Sequence, residues 1–411
     1  MSSSSSSSKK PSYEILADER DSLAFTLKNV DVSLANALRR TMITDIRSVI
    51  IDIDTCVFEK NNGRLHNEIL KERLRCIPVH CKEDMETWAK NYYLEVEVTN
   101  NTDDFVYVTT ADFRVKKIAK TGEAAEEMVE NNTVFPKNEF GNYIDFARLG
   151  PFIHENIVPE TLKFRANFAV KTARENACYS VVSKCSYGAT LDVALAAEEW
   201  GRREEILRRD LANSVSTNED QDQIKERIEF EKRDFYHLDA QRFVVPRQFN
   251  FIVETVGVFE PLDIVLKAFI SLHNTCVDFR AKLRDASETI IFLSGGMKDF
   301  SNMENSYDVL LYGVESSLGH ILCQSVYDAH SAVKKNEETE ENKKKYDEPE
   351  TENLIEVCTF KKFHPHDDYY VLRLKFHKKT SPTQIANLLL DHVIDMADQL
   401  KTLYKLFGGS G

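Results

Sequence analysis

Beginning near Tyr13, apolar and polar positions alternate, and Leu23, Phe25 and Leu27 predict a half-buried strand. Asp31 and Ser33 then supply helix-start chemistry. Leu34, Leu38 and Met42 follow at helical spacing, with Ala35 and Ile46 on or near the same face. Val49 to Phe58 is β-branched and apolar, interrupted by Asp52 and Asp54, and predicts another strand. From about 58 to 245 the texture changes. Strand-like pieces at 93–98, 105–109, 162–170 and 179–182 are separated by polar loops. A highly charged helical pattern runs from Leu191 to about Ala212, and after a polar break at 213–223 a second runs from Ile224 to Phe235. Alternation returns at Phe249, Phe251 and Val253. Glu260-Pro261 opens a helix, with proline where its missing N–H costs nothing. Leu262, Val265, Leu266, Phe269, Leu272, Cys276 and Phe279 form one apolar stripe along it. Residues 292–306, with Gly295-Gly296, read as a linker.

The pattern then repeats. Val30-Asp31-Val32-Ser33-Leu34-Ala35-Asn36-Ala37-Leu38 recurs as Val314-Glu315-Ser316-Ser317-Leu318-Gly319-His320-Ile321-Leu322. Both copies follow an alternating strand and open an amphipathic helix. Each half also closes on a long amphipathic helix that starts with proline, the second from Pro382 through Ile385, Leu389, Val393, Met396, Leu400 and Phe407. Before it, 354–360 and 370–376 predict strands joined by Lys361 to His366. A helix pair on one face of a small sheet leaves a wide apolar stripe open. Two such halves can cover each other with approximate twofold symmetry. Within one chain that pairing is intramolecular, at an effective concentration of order millimolar for a short flexible linker.

Composition narrows the function. Lys and Arg total 53 against 67 Asp and Glu, a net charge of −14, so wholesale binding to nucleic acid or anionic membrane is not expected. No apolar run approaches the roughly 20 residues of a membrane span. Ser2 to Ser8 and Lys9-Lys10 have no apolar core and do not read as a secretory signal. The eight cysteines are scattered, with no pair at CxxC spacing, and read as reduced thiols rather than a disulfide framework. Cys76/Cys81 and Cys178/Cys185 are the nearest approach to metal half-sites, and buried or incidental thiols are the preferred reading. No phosphate-binding glycine loop and no GxSxG elbow occurs. Asp52/Asp54 and Asp367-Asp368 read as solvated strand or turn residues, and the His364/His366 pair around Pro365 as a turn with partner contact. Glu198-Glu199 with Arg202-Arg203 reads as an ion-paired helix face. No catalytic, cofactor-binding or metal residues are expected.

VDVSLANALRRTMITDIRSVIIDI, from Val30, resembles the first helix and flanking strands of the RNA polymerase alpha family: the bacterial alpha subunit, the archaeal D subunit and the third subunit of eukaryotic RNA polymerase II. Glu72 to Val79 resembles the family's segment ending in an apolar-Pro step, with Arg75 where Gly is usual. Lys171 to Ser183 resembles a segment of the family's inserted domain, without its His and Pro. Phe249 to Leu272 resembles the strand, turn and closing helix of the large dimerisation module. Tyr307 to Phe407 resembles the small partner, the archaeal L subunit or the eleventh subunit of polymerase II, through Ser316 to Leu322, Phe363-His364-Pro365 and the final helix. Such a fusion is similar to what some large DNA viruses encode. The zinc loop common in the eukaryotic third subunit lacks its cysteine spacing here.

The expected fold is α+β: two related dimerisation modules, helices on antiparallel sheets, paired within one chain. The expected division is a disordered tail at 1–11, a large module at 12–57 plus 246–291, and a mainly β inserted domain with a charged helical excursion at 58–245. A linker at 292–306, a small module at 307–407 with a disordered loop at 334–353, and a tag or linker scar at 408–411 complete it. Leu34, Leu38, Leu266, Phe269, Leu318, Leu322, Leu389 and Val393 are the expected intramolecular seam. The resemblance implies a non-catalytic assembly scaffold of a multisubunit DNA-directed RNA polymerase. Arg39 and Arg40 would contact the second-largest subunit, and arginine suits a partner carboxylate or carbonyl cluster. The other implied partners are the largest subunit and, as a further candidate, a small zinc-binding subunit. No sequence-specific nucleic-acid contact and no membrane is implied. The implied location is intracellular: host cytoplasm, nucleus or virion for a viral protein. The alternative is a stand-alone adaptor or decoy that binds polymerase subunits.

Overall fold

The computed structural model describes residues 10–118, 128–154, 158–214, 220–284, 290–294, 303–331 and 354–409. The fold is α+β, built on two antiparallel four-stranded sheets of identical path and a third sheet in an insertion. In the first, β1 (Ser12–Asp18) turns into β2 (Ser22–Lys28), and α1 (Val32–Thr44) follows. Leu23, Phe25 and Leu27 alternate onto the buried face of β2 as their spacing dictates. Asn29 sits at φ 60°, which breaks the strand and swings the chain into the helix. After an insertion come β9 (Val182–Leu191), β10 (Val244–Thr255) and α7 (Pro261–Arg284). The sheet order is β1-β2-β10-β9.

The second sheet repeats this path. β11 (Ile290–Ser294), β12 (Ser306–Tyr312), α8 (Ser316–His330), β13 (Ile355–Lys361), β14 (Tyr369–Phe376) and α9 (Pro382–Leu406) give the order β11-β12-β14-β13. Each element of the first half has its counterpart in the same place. The match reaches single residues: Gly313, at φ 61°, occupies the position of Asn29 at the strand-to-helix turn. Ser381 and Gln384 close a capping box at the start of α9, with Pro382 in its first turn.

Two insertions interrupt the first half. One lies between α1 and β9. It contains β3 (Arg47–Asn61), α2 (Asn67–Arg75), α3 (Met85–Asn91), β4 (Tyr92–Thr99), β5 (Val106–Thr109), β6 (Phe113–Lys117), α4 (Asn131–Val134), β7 (Asp145–Leu149) and β8 (Thr161–Thr172). Its sheet runs β3-β8-β4-β6, with β5 paired to β7. Phe113, Phe135, Phe146 and Phe164 meet edge-on or tilted in a core of its own. The other insertion is a helical hairpin, α5 (Val193–Ser214) and α6 (Asp220–His237), on the tip of the β9–β10 hairpin. Ala196, Trp200, Ile228 and Phe235 form its small core, and the Asp192 N–H donates to the Phe243 carbonyl (2.8 Å) across its base.

Several elements differ from the sequence expectation. β3 pairs with β8 in the inserted sheet rather than with the first sheet, because its register partners lie at Leu162–Thr172. A 3-10 turn at Ala177–Tyr179 replaces the strand expected at 179–182, and β9 begins only at Val182. β9 belongs to the first sheet, so the span 58–245 is two insertions separated by a module strand. The start of the expected linker, Phe292 to Ser294, is hydrogen-bonded strand, pairing β11 to β12. Helices α2 and α3, absent from the expectation, are short and mostly polar, with only Leu70, Leu74, Trp88 and Ala89 buried. The expected disordered loop at 334–353 lies outside the described residues, as do 1–9 and 410–411 of the two terminal segments.

Candidate functional site

Four helices meet between the two sheets. The repeated helices α1 and α8 pack on each other, and so do the closing helices α7 and α9. Leu34, Leu38, Phe269, Leu318, Leu322, Leu389 and Val393 are all buried in one continuous core that spans both halves, and Leu266 packs against it half-buried. Among the described residues the two repeated paths share this one core. Helical stripes that would be open on each half alone are closed by the other, within the largest cluster of buried apolar residues among the described ones.

The structure adds contacts across the seam that the sequence pattern did not give. Phe407, just past α9, stacks on Tyr13 (ring centroids 3.9 Å) and meets Phe25 (5.2 Å) and Phe269 (5.4 Å), so the last aromatic of the second half is seated in the first. Arg174, in the turn after β8, donates to Asp45 (2.6 Å) at the end of α1 and to Glu315 (2.7 Å) at the start of α8. Asp31, the equivalent of Glu315, pairs with Arg247 (3.3 Å). The acids preceding both repeated helices therefore take an arginine from elsewhere, and neither caps its own helix through its side chain. No local sequence signal marks Arg174, because its partners are 129 and 141 residues away.

Arg39 and Arg40 diverge. Arg39 is half-buried and turns back along α1, donating from Nε (3.2 Å) and Nη2 (3.0 Å) to Asn36 Oδ1. Arg40 is exposed on the rim of a polar cleft of about 370 Å³ between α1 and α8. Asn36, Ser316, Ser317, His320 and Gln324 also line the cleft. Burial holds the His320 imidazole below its usual range, and the Arg40 charge adds to this. The cleft offers hydrogen-bond donors and acceptors with one exposed guanidinium, a surface suited to a protein carboxylate or carbonyl.

The other candidates fall elsewhere. Asp52 and Asp54 face Lys171 (3.4 and 4.0 Å) on the inserted sheet. Arg202 pairs with Glu198 (2.6 Å) and Glu199 (3.4 Å) along α5. His364 and His366 stack (5.2 Å) in a turn where the His364 N–H donates to Asp367 Oδ2 (2.9 Å). The cysteines pair across the suspected half-sites: Cys76 Sγ lies 3.7 Å from Cys178 Sγ, while Cys81 contacts the Glu83 carbonyl and Cys185 is packed against the seam core. Cys323 and Cys358 form a second close pair (3.4 Å). Among the described residues no three His, Cys, Asp or Glu side chains converge as a metal would require. No helix among them is long and apolar enough to cross a membrane.

Comparison with known proteins places most of the first half in a known family. Residues 24–276 match the family model of the RNA polymerase Rpb3/Rpb11 dimerisation domain. Over 71 residues the chain is 44% identical to DNA-directed RNA polymerase II subunit rpb3 of Dictyostelium discoideum, covering 17% of this chain and 23% of that protein. Over 66 residues it is 41% identical to DNA-directed RNA polymerase subunit Rpo3 of Pyrococcus furiosus, covering 16% of this chain and 24% of that protein. Over 301 residues it is 23% identical to DNA-directed RNA polymerases I and III subunit RPAC1 of Bos taurus, covering 66% of this chain and 84% of that protein. The chain thus spans about a quarter of the length of the first two relatives. The family match runs from β2 into α7, taking in α1, and β11 to α9 lie outside it. On a match that covers more than half of its residues and the first half's side of the seam, the chain belongs to the RNA polymerase Rpb3/Rpb11 dimerisation-domain family.

Proposed function

We propose that this chain is a non-catalytic assembly subunit of a multisubunit DNA-directed RNA polymerase, in which a large and a small alpha-like partner are fused. One observation carries the reading: β11 to α9 repeat the path of β1, β2, α1, β9, β10 and α7, and the two halves share a single core. In this reading the large module is β1 to α1 with β9 to α7, and the small module is β11 to α9. The insertions are appended to the large module, and the eight seam residues from Leu34 to Val393 hold the pair together. The platform docks the second-largest and then the largest polymerase subunit, with a small zinc-binding subunit as a further partner. Arg40, exposed beside the α1–α8 cleft, makes the contact to the second-largest subunit, and Arg39 supports it from α1. The protein works inside the cell, and the fusion of both partners in one chain fits an origin in a large DNA virus.

The test is affinity purification of the tagged chain from its native source, followed by mass spectrometry. Two very large subunits that carry a polymerase active site are expected. Arg40→Glu should lower their recovery at least about tenfold, equivalent to about 1.4 kcal/mol, while leaving the fold intact. A bait that retains host polymerase subunits but is absent from any assembled polymerase would replace this reading with the adaptor or decoy.

A further inference from the structure

The geometry points to Cys76 and Cys178 as an oxidative modification site, a thiol pair that a hydroperoxide converts to an intramolecular disulfide. The Sγ atoms are 3.7 Å apart and both residues are exposed. They come from segments 102 residues apart, and each backbone is anchored. Cys76 ends α2, its N–H bonded to the carbonyls of Arg73 and Leu74, with Leu74 and Ile77 buried on either side. Cys178 lies in the 3-10 turn, its N–H donating to Asn176 Oδ1 (3.0 Å), and the neighbouring Tyr179 is buried. The backbones are thus fixed while the thiols face each other in solvent. Closure to the bonded distance of about 2.05 Å requires the two sulfurs to approach by about 1.7 Å.

The rest of the molecule supplies the contrast. Cys323 and Cys358 are closer, at 3.4 Å, but lie half-buried between α8 and β13. There the hydrogen bond from Cys358 lowers the Cys323 thiol, while Cys323 and burial hold the Cys358 thiol well above its usual range. Burial pushes Cys276 up to about 12 and Cys56 up to about 11. Proximity alone would select the half-buried pair; proximity with full exposure of both residues selects Cys76 and Cys178. Partial burial and the neighbouring Cys178 and Glu72 also raise the Cys76 thiol, with Arg75 opposing, so the reaction should quicken as pH rises above neutrality.

The step balances. One thiolate attacks a peroxide oxygen, an S–O bond forms, the O–O bond breaks, and water or an alcohol leaves. The second thiolate attacks the resulting sulfenic sulfur, the S–S bond forms, and hydroxide departs with a proton as water. The two thiols are oxidised by two electrons and the hydroperoxide is reduced by two. The product would tie α2 of the inserted domain to the turn that follows Arg174, and so to the α1–α8 junction. This proposal does not depend on the polymerase reading.

The experiment treats the reduced full-length chain with hydrogen peroxide, quenches it, alkylates it in denaturant and maps it by mass spectrometry. A linked Cys76–Cys178 peptide, lighter by two hydrogens, is expected, with Cys323 and Cys358 still alkylated. In Cys178→Ser the link should vanish, and dimedone should capture Cys76 as its sulfenic acid. Should Cys178→Ser fail to fold, the unsubstituted chain decides alone. Both thiols remaining alkylatable, sulfinic acids accumulating without a link, or a link between two chains would each overturn the proposal.

Discussion

His392 is engaged at both ring nitrogens inside the second half. Its Nδ1 lies 2.8 Å from Ser325 Oγ, and its Nε2 faces His330 Nε2 at 3.1 Å, an arrangement that suits one shared proton and opposes two. Burial lowers its pKa, outweighing Asp391 and Asp395 on its own helix. Burial also lowers the pKa of His80 and His320. As pH falls below about 6.5, the usual value for unfolded histidine, the unfolded chain takes up protons first. The stability that these neutral imidazoles support is therefore intact above that pH and is lost as pH falls through the folded values. Urea unfolding should show a midpoint that declines from pH 7 to pH 5, with a shallower decline in His392→Gln. An unchanged slope in the variant would remove His392 from the account. None of this was legible in the sequence, because the histidines that meet are 62 residues apart.

Among elements, the repeated helices show how one motif tolerates two packings. Ala35 in α1 is fully buried, and its counterpart in α8 is Gly319. A Cβ at 319 would overlap the Phe360 ring, which is held by stacking on Tyr370 (5.0 Å) and by the edge of His320 (4.9 Å). Gly319→Ala should therefore destabilise the chain by about 1–3 kcal/mol, despite alanine's better helix propensity, and Phe360→Leu should relieve part of that cost. Chemical denaturation of the single and double variants measures both effects. The α5–α6 hairpin illustrates the opposite relation, an element whose contacts stay mostly within itself. Its core is separate, and its base is already closed by the bond from Asp192 to Phe243. Replacing residues 193–242 with a short Gly-Ser turn should leave the module folded, shifting its unfolding midpoint by no more than about 4 °C, the size of a change of about 1 kcal/mol. Larger losses would mean that the hairpin supports the sheet. The charged texture of this stretch predicted its helices; where they attach was decided by the pairing of β9 with β10.

At the scale of the whole molecule, one apolar core joins the two halves. A protease site introduced between residues 285 and 289, ahead of β11, should give two fragments that still co-elute on size exclusion. The bonds holding them are then the contacts of α1 with α8, α7 with α9, and Phe407 with Tyr13, Phe25 and Phe269. Leu322→Asp would bury an unpaired charge in that seam at about 3–5 kcal/mol, and the cut variant should separate. Co-elution of the cut Leu322→Asp chain would show that the seam is not what joins the halves.

The sequence by itself determined the local elements and their repetition. The alternation of Leu23, Phe25 and Leu27, the stripes of α1, α7, α8 and α9, and the recurrence of Val30–Leu38 at Val314–Leu322 each follow from periods of two and of 3.6 residues, which a chain carries along its own length. The apolar spacing of the eight expected seam residues was visible for the same reason, and in the structure seven lie in the shared core with Leu266 packed against it. Tertiary structure alone decided the membership of strands in sheets, which moved β3 into the insertion, β9 out of it and β11 across the expected linker. It also decided the meetings of Arg174 with Asp45 and Glu315, of His330 with His392, and of Cys76 with Cys178. Strand order and side-chain partnerships depend on which distant segments complete each other's hydrogen bonds and apolar surfaces. Periodicity records the face that a residue presents, and only folding of the whole chain selects what that face meets.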